Sequence, residues 1–137
     1  MIKFTQEIIV LKKHLDDLNH VNNVQYLYWA QEIAKSHWAF LIKDLKQPPG
    51  VWVVRHHDIS YRLGSFLGDT IEITTYIDNA RGPLSDRIVE FHNKKNNKLL
   101  VKVCTKWCYM INLNERKTST IPNEIIKLFI PLNLKVK

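Results

Sequence analysis

Cysteine is scarce: the 137-residue chain has two, Cys104 and Cys108. In an extended segment, residues four apart lie about 13 Å from each other on one face. That is too far for a disulfide, and two cysteines without paired histidine spacing make no zinc site. Free thiols fit a reducing compartment, so the expected location is cytoplasmic. Long apolar runs are also lacking. The stretch "MIKFTQEIIVLKKH" has none longer than "IIVL", and neither a signal peptide nor a membrane span is read there. Glycines (50, 64, 68, 82) and prolines (48, 49, 83, 122, 131) are few, and all fall at joints between longer patterned stretches. Few joints imply few elements.

The chain does have enough apolar residues, 45%, to bury a core without metals or disulfides, and residues 1–137 are expected to form one domain. The formal net charge of +7 admits anionic partners such as phosphorylated small molecules, nucleic acid or acidic lipid. The basic residues are scattered, however, with local density only at "KK" 12–13 and 94–95 and at the tail "KVK". Spread lysines read as a solvated surface rather than a nucleic-acid stripe.

Residues 2–13 read as a first strand, with "EIIVLKK" enriched in β-branched residues. A polar loop follows. Then Tyr26, Ala30, Ile33, Ala34, Trp38, Leu41 and Leu45 recur at spacings of three and four, which predicts a helix ending at "QPPG". Leu27, Trp29, Phe40 and Ile42 add apolar groups off that stripe, as in a helix covered on more than one side. After Pro49 the period changes. "VWVVRHHDISYRL", "DTIEITTYID", "SDRIVEFHN" and "KLLVKVCTKWCYMINL" are strand candidates joined by turn-length connections, which favours antiparallel neighbours. "IPNEIIKLF" reads as a short helix beginning near Pro122. The order predicts an α+β layer architecture: an antiparallel sheet with one buried long helix.

The polar loop "DDLNHVNN" sits where the first strand meets that helix. A helix start has unpaired N–H groups and partial positive charge. Asn22 or Asn23 is a good N-cap immediately before the apolar run. The free amides would cradle an anion or a polarised carbonyl oxygen. A carboxylate just ahead, Asp16 or Asp17, would stay ionised in the same field, poised to attack or to activate water. From chemistry alone, capping and turn roles are the favoured account of these residues. "RHHD" places His56 and His57 on opposite strand faces, and His14, His37 and His92 show no ligand spacing, so no metal is expected. The scattered tryptophans at 29, 38, 52 and 107 read as core.

The segment from Asp16 to Tyr26 resembles the signature of the hotdog-fold thioesterases of the 4-hydroxybenzoyl-CoA thioesterase-like group. Their pattern has Asp, two variable residues, usually Gly, then His-Val-Asn-Asn and a Tyr three residues on. It is also similar to the Asp-containing loop of acyl-ACP thioesterases. "ISYRLGSFLGD" and "IPNEI" extend the likeness over nearly the whole chain. Asn19 stands in place of the usual glycine, a mild change because Asn tolerates left-handed backbone. Gly64 stands where proline is common.

The resemblance implies a hotdog fold, an antiparallel β-sheet wrapped around one long central helix. It further implies hydrolysis of an acyl-CoA thioester to free acid and CoA without a cofactor, Asp16 serving as nucleophile or general base. The Asn23 amide would hold the oxyanion, and His20 and Asn22 would hold the loop and orient water or Asp16. His20 is also a candidate base, and Glu32 an alternative acid. Tyr26, Trp29, Tyr61 and Phe66 are candidate acyl-pocket residues, with a core role as the alternative. Arg55 is a candidate for the CoA phosphates, with Arg62 and Arg81 also near the relevant loops. The family places the site at a subunit interface, so a homodimer or homotetramer is expected. The alternatives are an acyl-ACP substrate, whose acidic carrier would dock on the basic surface, and a non-catalytic acyl-CoA-binding hotdog protein.

Overall fold

The computed structural model describes residues 2–129. Strand β1 (Phe4–Ile9) leads through a 3₁₀ turn, Lys12–His14, and the polar loop into helix α1 (Asn23–Leu41). Strands β2 (Val51–Tyr61), β3 (Thr70–Arg81), β4 (Leu84–Asn93) and β5 (Leu99–Asn112) follow, then the two-residue β6 (Lys117–Thr118) and helix α2 (Asn123–Phe129). The strands form one sheet in the order β1-β3-β4-β5-β2, with β6 beside β5 and every pairing antiparallel. Among the described residues no helix is long and apolar enough to cross a membrane.

The period-two pattern determines which face is buried. Ile71, Ile73, Thr75 and Ile77 of β3 pair across the sheet with Asn93, Phe91, Val89 and Arg87 of β4 and turn inward with them. Helix α1 buries Tyr26, Trp29, Ala30, Ile33, Ala34 and His37. Around its first half Tyr26, Trp29, Ala30 and Ile33 join Ile71, Ile73, Phe91, Val101 and Val103 in one apolar cluster. A second cluster, with Trp38, Trp52, Ile77, Tyr109, Ile125 and Phe129, lies toward the helix end and α2. Between the clusters a polar row crosses the sheet, Arg87 beside Thr105 beside His57.

Two elements are shorter than the sequence pattern predicts. The first strand stops at Ile9, where Val10 turns inward and its N–H donates to the Asp69 carbonyl at 2.9 Å. The next residues tighten into the 3₁₀ turn, held by the Leu11 N–H donating to His14 Nδ1. The long helix stops at Leu41, with Ile42 as C-cap. Leu45 still reaches the second cluster, but through a turn whose Leu45 N–H donates to the Ile42 carbonyl at 3.0 Å. Cys104 and Cys108 are both free, as expected of residues four apart on one strand.

Candidate active site

Asn22 is the N-cap of α1. Its side-chain oxygen accepts from the Val24 N–H at 3.0 Å, and its own N–H donates to the His14 carbonyl at 2.9 Å. That leaves the next amide, Asn23 N–H, as the free donor of the helix start among the described residues. The loop ahead is folded on Asp16. One carboxylate oxygen, Oδ1, accepts from the Leu18 N–H at 2.9 Å and the His20 N–H at 3.2 Å. The loop then closes as a small antiparallel bridge between Leu15 and Val21. Asn19 lies at its tip with φ of 63°, the left-handed conformation a glycine would supply. Asp16 Oδ2 makes no hydrogen bond among the described residues.

Asp16 and Asn23 line the same cleft, of about 300 Å³, together with Leu18, His20, Val21, Tyr26, Tyr61, Arg62, Leu63 and Gly64. Strand β2 supplies one wall. Its last residue, Tyr61, donates its hydroxyl to the Asn23 carbonyl at 3.1 Å, tying the strand end to the helix start. Tyr26 forms the floor; it is almost wholly buried, and its hydroxyl, like that of Ser65, has no partner among the described residues. Burial pushes the Tyr26 phenol above its ordinary value, so it remains protonated. The His20 ring stands edge-on to Phe66 at the mouth, with centroids 5.1 Å apart, and Phe66 is half exposed.

Not every residue singled out in the sequence reaches this cleft. Asp16, His20, Asn23, Tyr26 and Tyr61 line it directly, whereas Asn22 and Phe66 flank it. Trp29 does not line it. It is packed in the first cluster between His14, Tyr26 and Phe91, because its place on the helix stripe points into the sheet. Arg55 is also elsewhere: its Nη2 reaches Cys108 Sγ at 3.6 Å, and it lies six positions, roughly 20 Å, along the strand from Tyr61. The basic residue on the cleft wall is Arg62. Glu32 lies more than two turns along α1, half exposed and paired with Lys35 at 3.9 Å. Asp17 is exposed and not part of the cleft lining.

Known proteins share this arrangement of elements. A 1,4-dihydroxy-2-naphthoyl-CoA thioesterase from Synechocystis superposes with a TM-score of 0.80 at 20% identity, covering 96% of this chain and 98% of its own. The 12:0-ACP thioesterase from Umbellularia californica gives 0.80 at 20% identity over 94% of this chain, which spans 51% of that enzyme. An aspartate-to-asparagine variant of 4-hydroxybenzoyl-CoA thioesterase, complexed with 4-hydroxybenzoyl-CoA, gives 0.77 at 13% identity over 93% of this chain and 99% of its own. At such identities the likeness is one of fold. Among curated proteins none matches the sequence. The acyl-ACP thioesterase N-terminal domain model does match, over residues 2–129. The chain therefore belongs to the acyl-ACP thioesterase N-terminal domain family and is a thioester hydrolase with the hotdog fold.

Proposed function

We propose that the chain hydrolyses an acyl-CoA thioester to the free carboxylic acid and CoA in the cleft at the start of α1. The observation that carries this reading is the pairing of Asp16 with Asn23. One Asp16 oxygen is fixed by two backbone amides and, among the described residues, the other is free and shares its cleft with a helix-start N–H that has no acceptor. With the thioester carbonyl on the Asn23 N–H, the free oxygen takes a proton from water as that water adds to the carbonyl carbon. The oxyanion is held by the amide; the C–S bond then breaks, and the thiolate leaves with a proton. In the alternative route the same oxygen attacks the carbonyl carbon directly, the C–S bond breaks with loss of the thiolate, and water opens the resulting anhydride to the free acid and Asp16.

Each neighbouring group has a part. Asn22 holds the helix start. His20, with its ring at the mouth and no side-chain hydrogen bond among the described residues, orients water or returns a proton to the leaving sulfur. Tyr26 and Tyr61 bound the acyl end. Arg62, rather than Arg55, is placed to meet the carrier's phosphates. The cleft lining exposes Leu18 (74%) and Leu63 (49%), and α1 exposes Val24 (70%) and Tyr28 (57%), more apolar surface than a solvated face requires, so a second copy of the chain completes the site in a homodimer or homotetramer. The family model favours a second reading of the donor, acyl carrier protein in place of CoA, for which the +7 surface offers a dock to an acidic partner.

The test is thiol release across acyl chains of varied length, each presented on CoA and on acyl carrier protein, with wild type and Asp16→Asn. Activity on at least one donor and a loss of about a hundredfold or more in the variant are expected. Equal rates in the two proteins would remove Asp16 from the chemistry, and the preferred donor decides between the two carriers.

A further inference from the structure

A second cavity, of about 260 Å³, opens along the other half of α1. Its walls are apolar, with Trp38, Trp52, Ile77 and Phe129, but Arg87 and Trp107 line it from β4 and β5. Neither belongs to the Asp16 cleft.

Arg87 is only 5% exposed. Its Nη1 donates to His37 Nδ1 and to Thr75 Oγ1, both at 2.9 Å. A guanidinium has no acceptor, so His37 Nδ1 must be the accepting nitrogen and His37 is neutral. Nε and Nη2 of Arg87 make no hydrogen bond among the described residues, and no carboxylate there lies within 4.0 Å of it. Burial pulls Arg87 down only to about 10, so it keeps its charge near neutrality. Trp107 Nε1 is buried and also has no partner among the described residues. Lys35, at the same cavity, is engaged with Glu32 on the exposed side of α1.

A buried cation without an anion is among the least favourable arrangements a core can hold. An unpaired indole N–H on the same wall adds to the deficit. Both are relieved by one kind of occupant. We propose that this cavity binds a monocarboxylate with an apolar body, its head on Arg87 and Trp107 Nε1 and its body against the tryptophan walls. A planar carboxylate matches the free Nε/Nη2 edge of the guanidinium, and a single buried cation balances one negative charge rather than the two of a phosphate. The products of thioester hydrolysis have this chemistry, so the cavity is placed to hold a free acid away from the cleft. The assignment does not depend on the role of Asp16.

The test uses the full chain and three probes of equal length, octanoate, octanol and octylamine. Binding is read by calorimetry, and 8-bromooctanoate is added as a quencher of the cavity tryptophans. Octanoate is expected to bind wild type at least about tenfold tighter than octanol, with octylamine weaker than both. Arg87→Met should remove that preference while octanol still binds, which also reports that the variant is folded. Trp107→Phe keeps the ring volume and removes the N–H; it should weaken octanoate about threefold or more and provides the reading if Arg87→Met does not fold. Equal affinity of wild type for octanoate and octanol, or octanoate binding unchanged in either variant, would overturn the proposal. Carboxylate binding confined to the Asp16 cleft would give that same insensitivity.

Discussion

Single residues set the loop geometry, and two of them can be weighed separately. Asn19 at φ of 63° occupies a conformation in which most side chains are strained by about 1 kcal/mol or more. Asn19→Gly is expected to change stability by less than about 0.5 kcal/mol, whereas Asn19→Val should lower it by about 1–2 kcal/mol; urea unfolding of both variants checks the contrast. Asn22 acts differently, by capping. Its replacement by Ala leaves the Val24 N–H without its acceptor and should lower stability by about 1 kcal/mol in the same assay. Because the Asn23 amide is the next group along, Asn22→Ala should also reduce turnover, with a smaller loss than Asp16→Asn. A loss as large as that of Asp16→Asn would mean that Asn22 touches the reacting atoms and that capping is not its main role.

At the scale of elements, strand alternation is the most readable feature of the sequence, and helix termination the least. β3 is visible because Ile71, Ile73, Thr75 and Ile77 face a core while Glu72, Thr74 and Asp78 face the other side, a contrast that survives in any antiparallel sheet with one buried face. The end of α1 is not readable in the same way. Leu45 satisfies the helical stripe, yet reaches its cluster through a turn, and nothing local distinguishes the two routes to the same burial. Gly50 marks a further constraint of this kind. It lies just ahead of β2, with its N–H donating to the Tyr109 hydroxyl at 2.6 Å. A Cβ there would run into the Met110 carbonyl oxygen and come within 2.9 Å of Tyr109 Cζ. Since a strand carbonyl cannot retreat without breaking its pairing, Gly50→Ala is expected to lower stability by about 2 kcal/mol. Thermal unfolding checks this, and an unchanged midpoint would show that the chain can shift just ahead of β2.

Considered as a whole, the molecule places its Asp16 loop at one end of α1 and a polar row near the middle, and only the first could be found from sequence. The loop has a signature because Asp16, His20, Asn22 and Asn23 are adjacent in the chain and precede an apolar helix. The polar row is assembled from α1, β2, β3, β4 and β5, so His37, Arg87, Thr75, Thr105 and His57 carry no shared pattern; a lone arginine on an alternating strand reads as solvent-facing. That row makes stability depend on pH. Burial first, and then the nearby Arg87 charge, pull His37 from 6.5 down to about 4. Above about pH 6.5 neither the native nor the unfolded chain protonates His37, and it contributes no slope. Below that, the unfolded chain binds a proton that the native state refuses, so stability falls as the pH drops toward about 4. The native state should lose on the order of 2 kcal/mol between pH 7.5 and pH 5 from this group alone. His14 and His57 are lowered by burial too and tilt stability in the same sense, so the slope must be assigned by substitution. In urea titrations at the two pH values, His37→Gln should retain an acceptor for Arg87 and show a markedly smaller drop than wild type. An equal drop in both proteins would mean that His37 takes up its proton in the native state, and hence that the Arg87–His37 hydrogen bond does not persist in solution.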